Sequence, residues 1–327
     1  MDLDTSPLAS AQDTGADAAF RADVLMGLRQ AQKAVPARWL YDLTGSELFE
    51  EITRLPEYYP TRTERGLLSR HGSEVAKLTG KGRAVVEFGS GSSAKTPLLL
   101  SEVDPAVYVP IDISGEFLDQ SAAQLRESFP GLPILQVEAD FMSPVQLPTR
   151  VKRLDILGFF PGSTIGNLVP RTAIDLLRTM RQTLGPRSQL LIGMDRVKDI
   201  GRLQAAYDDR QGVTAQFNLN LLHRINREIG GDIPVGQFRH RALWNAEWSR
   251  IEMHLEAQDE VAFTISGEAF SMAQGETIHT ENSHKYTSGQ ARLLLQSGGW
   301  TPRRLWMDEA EDFMLLLAEA TEYRSAP

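Results

Sequence analysis

The chain has 327 residues, of which 42% are hydrophobic and 24% are charged, and this composition is ordinary for a globular protein. Its formal net charge of -9 is unfavourable for a polyanionic partner, so we expect no nucleic-acid ligand. The absence of cysteine excludes disulfides, thiolate metal ligands and a cysteine nucleophile.

The N-terminal stretch is acidic and lacks the basic start and apolar segment of a secretion signal. We predict a flexible leader over residues 1–17. No later stretch contains the ~20 apolar residues of a membrane-spanning helix. The sequence therefore predicts a cytoplasmic protein without membrane contact.

The segment before residue 84 has the patterns of helices. An apolar stripe marks a helix over 20–32, and short helical runs follow, broken at Gly45 and at the Pro56/Pro60 pair. Aromatic residues crowd into this segment and form either a packed helical cap or the wall of a ligand site: Trp39, Tyr41, Phe49, Tyr58 and Tyr59.

From Ala84 onward, short apolar runs alternate with helical stretches. Strands that are buried on both faces and alternate with helices predict an α/β fold with a doubly wound parallel sheet. Ligands of such sheets bind outside the carboxyl ends of the strands. The predicted strands are 84–88, 107–112, 134–140, 154–160 and 189–195.

The alternation stops after Asp195. Residues 200–284 read as amphipathic helices followed by antiparallel strands, and the C-terminal segment reads as a helix and a strand pair at 303–308 and 312–320. We therefore predict an insertion that forms a smaller α+β domain. The predicted limits are 18–60 with 200–284 for this domain, and 61–199 with 285–327 for the core.

The stretch "VVEFGSGSSAKTPLLL" joins the first strand to a helix and matches three kinds of ligand loop. Gly89 and Gly91 permit the tight turn that a phosphate, a dinucleotide or an adenosyl-sulfonium ligand requires. Ala94 stands beside Lys95 where nucleotide hydrolases have a glycine, which disfavours that class. A further explanation is a turn that binds no ligand and serves only the structure.

Acidic residues at three strand ends narrow the choice of ligand. Glu87, Asp112 and Asp140 would repel a triphosphate but suit ribose hydroxyls, an adenine amine and a positive sulfur. Asp112 fits the ribose-binding acid of a dinucleotide site equally well. Phe141, which follows Asp140, can cover an adenine ring and favours the adenosyl ligand. A nicotinamide-dependent oxidoreductase stays open as an alternative.

Longer motifs resemble a known family. "WLYD", "GSELFEEITRLPEYYPTRTE", "EFGSGSSAKT", "FFPGSTIGNL", "RVKDIGRL", "AYDDRQGVTAQFN" and "TENSHKY" together resemble the histidine-specific methyltransferases of ergothioneine biosynthesis. The resemblance extends from about Arg21 to the C-terminus. It implies a class I methyltransferase core, a histidine-binding domain and S-adenosylmethionine (SAM) as methyl donor. The implied reaction is trimethylation of the α-amino group of L-histidine to hercynine.

The resemblance also implies the residues of the site. The implied contacts with the methyl donor are Tyr58, Gly89, Lys95, Asp112, Asp140 and Phe141. The glycine loop and the strand end before it add Glu87 and Gly91 to this set. The implied histidine contacts are Tyr41, Phe49, Tyr58, Gly162, Thr164, Asn167, Tyr207, Met253, Glu281 and Ser283. We predict Tyr41 as the catalytic residue that orients the amine.

The chemistry of histidine agrees with these implied roles. Asn167 and Tyr207 suit its carboxylate, whereas Glu281 and Ser283, two apart on an extended segment, share a face and can hold the imidazole. Met253 would pack on the ring. Each also has a purely structural alternative, because Tyr207 fits a core, Asn167 fits a turn and Glu281 fits an exposed strand edge.

The sequence supports three further expectations, on metal content, oligomeric state and acceptor. We expect no metal, because the spacing of His279, Glu281 and His284 matches no standard zinc motif. We expect a monomer. The acceptor could also be another amino acid or amine metabolite, since relatives of the family methylate such compounds.

Overall fold

The computed structural model describes residues 15–91, 95–113 and 115–321. Helix α1 begins at Gly15, so the last three residues of the predicted flexible leader are helical, and the rest of that leader lies outside the described residues. The helices are α1 (Gly15–Leu28), α2 (Leu43–Ile52), α3 (Tyr59–Thr79), α4 (Thr96–Val103), α5 (Gly115–Ser128), α6 (Pro170–Leu184), α7 (Ile200–Ala205), α8 (Val213–Ile229) and α9 (Ser288–Ser297).

The strands include all five predicted for the parallel sheet, although the third is much shorter than its apolar run. The strands are β1 (Lys33–Ala34), β2 (Ala84–Phe88), β3 (Val107–Asp112), β4 (Val137–Glu138), β5 (Ile156–Phe160), β6 (Gln189–Asp195), β7 (Phe238–Asn245), β8 (Arg250–Ala257), β9 (Val261–Ile265), β10 (Glu268–Met272), β11 (Thr277–His284), β12 (Trp300–Met307) and β13 (Phe313–Ala320).

The chain divides into two compact units. The larger unit comprises Ser46–Thr214, Ala242–Glu252 and the described residues from Asn282 onward. The smaller unit comprises the described residues up to Gly45, together with Ala215–Arg241 and Met253–Glu281.

A seven-stranded sheet forms the centre of the larger unit, in the order β12-β13-β6-β5-β2-β3-β4. Strands β2 to β6 pair in parallel, and β13 pairs antiparallel with both β6 and β12. This arrangement is the doubly wound sheet with a terminal antiparallel pair that the sequence predicts.

Alternating side chains of the buried strands build a core on each face of this sheet. Val86 of β2 belongs to the cluster that includes α6 and α9, whereas Val85 belongs to the cluster that includes α3, α4 and α5. Both faces are therefore covered by helices, which explains why β2 and β6 are apolar nearly throughout.

The strand order reverses beside β2. From β2 the chain passes through β3 to β4 at one edge, and it then returns to β5 on the other side of β2. The crevice at the carboxyl ends of β2 and β5 is the place where doubly wound sheets bind ligands. Phe88 and Phe160 end these two strands.

The smaller unit contains α1, most of α8 and the antiparallel pair β9–β10. A four-stranded sheet has the order β1-β11-β8-β7, and its last three strands include residues of both units. Asn218 of α8 fixes two strands within this unit, since its amide donates to the His254 carbonyl at 3.1 Å and accepts from the Thr280 hydroxyl at 2.7 Å.

The units divide the chain differently from the predicted domains. The larger unit includes four segments predicted for the smaller domain, namely 46–60, 200–214, 242–252 and 282–284. Two side-chain contacts account for part of this difference. The Tyr59 hydroxyl donates to Asp195 at the end of β6, at 2.7 Å. Arg202 of α7 forms an ion pair with Asp312 at 2.6 Å.

The predicted helix break at Gly45 is wrong, because α2 continues through this residue. A Cβ at Gly45 would lie 1.8 Å from the Leu40 carbonyl oxygen, so the glycine permits close backbone approach instead of ending the helix. Among the helices of the described ranges, none has the length and the apolar run that crossing a bilayer requires.

Candidate active site

The glycine turn after β2 has the backbone geometry of a ligand loop. Gly89 has φ +66 and Gly91 has φ +48, in the region that favours glycine. The Gly89 amide donates to the Ile111 carbonyl at 2.9 Å, and a Cβ at Gly89 would lie 3.5 Å from the Phe141 ring. The turn therefore presents bare backbone beside an aromatic face.

Asp112 and Phe141 lie at this turn, as predicted from the strand ends. The Asp112 carboxylate accepts a hydrogen bond from the Gly91 amide at 3.0 Å. The Phe141 ring packs edgewise against Phe88 and Phe160, with centroid distances of 6.2 and 6.1 Å. Asp140, another predicted donor contact, is exposed, and its carboxylate accepts a hydrogen bond from the Met142 amide at 2.9 Å.

Glu87 lies beneath the turn and not on an open surface, since it is 1% exposed. Its Oε2 accepts from the Thr96 hydroxyl at 2.7 Å and from the Tyr108 hydroxyl at 2.6 Å. Burial raises the pKa of Glu87 to about 7, although these hydrogen bonds favour the charged form. The carboxylate thus ties β2 to β3 and to the start of α4, and its contact with a ligand stays a prediction.

Lys95 forms an ion pair that the sequence did not indicate. Its Nζ donates to Oε2 of Glu64 at 2.5 Å, and Glu64 on α3 is fully buried. The Gly162 amide donates to both oxygens of the same carboxylate, at 3.1 and 2.9 Å. Sequence reasoning missed Glu64 because a glutamate on an amphipathic helix resembles a surface charge. Its place in "PTRTE" was the one signal for it.

The segment after β5 carries three of the residues predicted to contact the methyl acceptor, here called acceptor residues. They are Gly162, Thr164 and Asn167, and all three are half-buried. Gly162 has φ +82, and the Thr164 hydroxyl donates to the Pro161 carbonyl at 3.0 Å. A short 3₁₀ helix spans Thr164–Asn167. The segment therefore lies at the carboxyl end of a central strand, where the fold places ligand contacts.

Aromatic rings connect three predicted acceptor residues in the larger unit. Tyr58 contacts Phe49 edgewise at 6.2 Å between ring centroids, and it contacts Tyr207 at 6.1 Å. The Tyr207 hydroxyl lies 2.6 Å from the Ser283 hydroxyl. The structure thus joins Phe49, Tyr58, Tyr207 and Ser283 in one continuous row.

Lys285 supports the end of this row. It is 1% exposed, and its Nζ lies 2.9 Å from the Tyr207 hydroxyl, 2.8 Å from the Ser283 hydroxyl and 2.8 Å from Asp195. Sequence reasoning missed it, although it follows Glu281 and Ser283 at intervals of two residues along an extended segment. Side chains at intervals of two residues lie on the same side of an extended segment, so all three share one side.

Asp195 contacts two ammonium groups and one tyrosine hydroxyl. Lys198 donates to it at 2.5 Å, in addition to Lys285 and Tyr59. Burial alone would raise the pKa of Asp195, but the two ammonium groups outweigh burial and hold that pKa below its usual value. Burial lowers the pKa of Lys198 to about 8.

The remaining predicted acceptor residues belong to the smaller unit. Tyr41 follows a 3₁₀ helix at Ala37–Leu40 and contacts the Phe217 ring edgewise at 5.4 Å. Met253 on β8 and Glu281 on β11 are both buried. The extended segment predicted around Glu281 and Ser283 is confirmed by β11.

The two histidines considered as metal ligands each contact a backbone carbonyl. His279 Nε2 lies 3.0 Å from the Glu281 carbonyl oxygen. His284 Nδ1 lies 2.8 Å from the Gly166 carbonyl oxygen, and burial lowers the pKa of this histidine. His284 alternates with Ser283 along β11 and so points away from it, toward the segment that carries Asn167.

These features define a class I methyltransferase. The sheet carries the terminal antiparallel pair, the glycine turn permits close approach of a ligand, and Asp112 and Phe141 suit the ribose and adenine of SAM. A sequence profile described as "Histidine-specific methyltransferase, SAM-dependent" matches residues 20–320. The chain belongs to this family. The predicted fold class, family and methyl donor are confirmed, and the nicotinamide alternative is not supported.

Individual relatives extend over almost the whole chain. The histidine N-alpha-methyltransferase of Mycolicibacterium smegmatis is 41% identical over 315 residues, which cover 94% of this chain and 97% of the relative. The protein of the same name from Mycobacterium tuberculosis is 40% identical over 307 residues, covering 92% and 94%. An L-tryptophan methyltransferase of Psilocybe serbica is 25% identical over 352 residues, covering 95% and 96%.

Proposed function

We propose that the protein methylates the α-amino nitrogen of L-histidine three times and so produces hercynine, the first step of ergothioneine biosynthesis. Membership of the histidine-specific family and the two mycobacterial relatives support this substrate. When bound, SAM supplies a methyl carbon on a positively charged sulfur. The residues that suit the donor are those of the glycine turn, with Asp112 and Phe141 beside them.

The row from Phe49 through Tyr58 and Tyr207 to Ser283 is the single observation that best supports an amine acceptor. A trimethylated nitrogen donates no hydrogen bond, yet aromatic faces attract it by roughly 0.5–2 kcal/mol each. A row of rings that ends in hydroxyl groups offers both kinds of contact. The same site can therefore hold the amine before methylation and the fixed cation after it.

The charge at Lys285 supports a role for Tyr207 at the substrate carboxylate. A buried ammonium 2.9 Å from the Tyr207 hydroxyl makes its surroundings favourable for a negative group. Asn167 would share the carboxylate. We assign the imidazole to Glu281 and Ser283, with Met253 packed on the ring, since an unmet hydrogen bond at a buried site costs about 1–3 kcal/mol and disfavours other side chains.

Tyr41 is proposed as the residue that orients the amine. In-line attack requires an unprotonated nitrogen held about 3–3.5 Å from the methyl carbon, so positioning matters more than a strong base. We propose that the tyrosine hydroxyl hydrogen-bonds the nitrogen, that water accepts the released proton and that Tyr58 contacts both ligands. No covalent intermediate is needed, in agreement with a chain that contains no cysteine.

Mass spectrometry of products tests this proposal. The protein is incubated with SAM and either L-histidine or Nα-acetyl-L-histidine, in which the α-nitrogen is blocked. We expect L-histidine to gain three methyl groups and the acetylated compound to gain none. Methylation of the acetylated compound would place the reaction on the imidazole and contradict the proposal.

The second candidate keeps the chemistry and changes the acceptor to another amino acid. The relative that is named an L-tryptophan methyltransferase supports this possibility. Glu281, Ser283 and Met253 are the residues that would separate the two acceptors. Methylated tryptophan in place of methylated histidine would favour the second candidate.

We further propose that the protein is a cytoplasmic monomer. Gel filtration at micromolar protein concentration tests the oligomeric state directly.

A further inference from the structure

Glu64 is a fully buried carboxylate that contacts both a predicted donor residue and a predicted acceptor residue. One oxygen accepts from Lys95 Nζ at 2.5 Å, and both oxygens accept from the Gly162 amide, at 3.1 and 2.9 Å. All three residues belong to the larger unit. Neither the sequence motifs nor the reaction assigns a role to Glu64.

The sheet beneath Glu64 leaves room for this carboxylate. Gly193 lies in the middle of β6, whose residues are all buried. Glycine weakens the interior of a strand, so its presence there needs a packing reason. A Cβ at Gly193 would lie 2.0 Å from Oε1 of Glu64. The glycine thus leaves space for a carboxylate that is costly to bury.

The ion pair fixes the position of Lys95. A lysine side chain has many rotamers, and holding it in one of them costs conformational entropy. Glu64 holds the ammonium in place and uses one of its three N–H donors. A Cβ at Gly162 would lie 3.4 Å from Lys95 Nζ, so the lysine head group and the Gly162 backbone are neighbours.

We propose that Glu64 is a positioning residue that couples the donor and acceptor parts of the site. A donor carboxylate that binds Lys95 would order Glu64, and Glu64 would then order the Gly162 backbone on which the acceptor rests. The ligand that binds second then loses less free energy in ordering these residues, so each ligand increases the affinity of the other by the same factor. The inference rests on the proposed function for the identity of the acceptor.

Calorimetry on the whole protein tests the coupling with S-adenosylhomocysteine (SAH) as probe. SAH is titrated into the wild type and into Glu64→Gln, each with and without saturating L-histidine. We expect histidine to tighten SAH binding at least fivefold in the wild type and less than twofold in Glu64→Gln. SAH alone should bind the variant at least tenfold more weakly. A variant within twofold of the wild type in both quantities overturns the inference.

Two further variants separate positioning from a general effect on folding. Glu74→Gln makes the same change on the same helix, where the carboxylate pairs with Arg304 and Trp306, and it should leave SAH affinity and coupling unchanged. Lys95→Met/Glu64→Gln removes both partners and leaves no buried charge unpaired. In the Lys95→Met background, Glu64→Gln should weaken SAH less than threefold, and a tenfold additional loss would overturn the inference.

The design keeps two failures apart. The SAH titration without histidine reports on Glu64 and Lys95 whatever the acceptor is. If the wild type produces no methylated histidine, the proposed function fails. If the wild type methylates histidine but Glu64→Gln binds SAH as the wild type does, the inference alone fails.

Discussion

Lys285 is a charged residue in the core, and the hydrogen bonds of its ammonium go to other buried side chains. They reach Asp195, Tyr207 and Ser283, two of which are predicted acceptor residues. Because the ammonium donates to both hydroxyl groups, it limits the directions in which these hydroxyls can donate. The lysine therefore organises the polar end of the aromatic row, and its loss should affect stability as well as substrate binding.

We predict that Lys285→Met lowers the free energy of unfolding by about 1–3 kcal/mol, because buried hydroxyl groups lose a hydrogen-bond partner while Lys198 still pairs with Asp195. Urea denaturation of both proteins at neutral pH measures the change. Lys81→Met is the matched control, since its ion pair with Asp104 is on the surface, with side chains 72% and 70% exposed. Equal small losses in both variants would show that the Lys285 pair contributes no more than a surface pair.

Glu87 predicts a pH dependence of stability. Its pKa is about 7 in the folded protein against an ordinary 4.5, because burial disfavours the charged form. The folded state therefore keeps a proton that the unfolded chain releases, so stability falls as pH rises from about 4.5 to 7 and stays low above it. The difference of 7 − 4.5 corresponds to roughly 3 kcal/mol.

Urea denaturation of the wild type and Glu87→Gln at pH 5 and pH 8 isolates this contribution, because the other titrating groups are common to both proteins. We expect the wild type to lose roughly 2–3 kcal/mol more than the variant between these pH values, because part of the loss has already occurred at pH 5. An equal loss in the two proteins would mean that Glu87 is ionised in the folded state across this range.

At the scale of elements, the connection between β2 and α4 carries several of the predicted donor contacts. Its glycines have positive φ, and its acid and aromatic partners come from the ends of neighbouring strands. The sequence predicted this arrangement well, because glycine spacing and strand ends are local features. The segment after β5 was recognised through its resemblance to a family, since "PGSTIGN" has no period that predicts a 3₁₀ helix at Thr164–Asn167.

The variants Gly89→Ala and Gly185→Ala compare two glycines that both have positive φ, +66 and +83. Both substitutions should therefore strain the backbone, by about 1–3 kcal/mol. At Gly89 the new Cβ would also touch the Phe141 ring, whereas nothing lies within 4 Å at Gly185. Calorimetry should show SAH binding at least tenfold weaker in Gly89→Ala and unchanged in Gly185→Ala. Equal SAH affinities would indicate that the turn does not contact the donor.

At the scale of the whole molecule, the central sheet is the feature that the sequence predicted in most detail. Strands β2, β3 and β6 match their apolar runs residue for residue. The run at 134–140 became a strand of two residues at the edge of the sheet, with a separate bridge from Ile134 to Tyr108 of β3. Apolar pattern indicates burial, but it does not show how many residues find a partner strand.

The residues that the sequence missed share one physical property. Glu64 and Lys285 are buried charged residues, and each has a partner that is distant in the chain, Gly162 in one case and Asp195 in the other. A local pattern assigns such residues to the surface, because isolated charges are rarely buried. Their roles become visible when the fold brings the partners together, so the assignments of individual site residues stay predictions until variants are measured.

Competition between amino acids shows which acceptor the protein methylates. The protein is incubated with SAM and an equimolar mixture of the proteinogenic amino acids, and the products are separated and identified by mass spectrometry. We expect trimethylated histidine to be the dominant methylated product. A dominant methylated product from any other amino acid, or no methylated product with SAM present, would contradict this expectation.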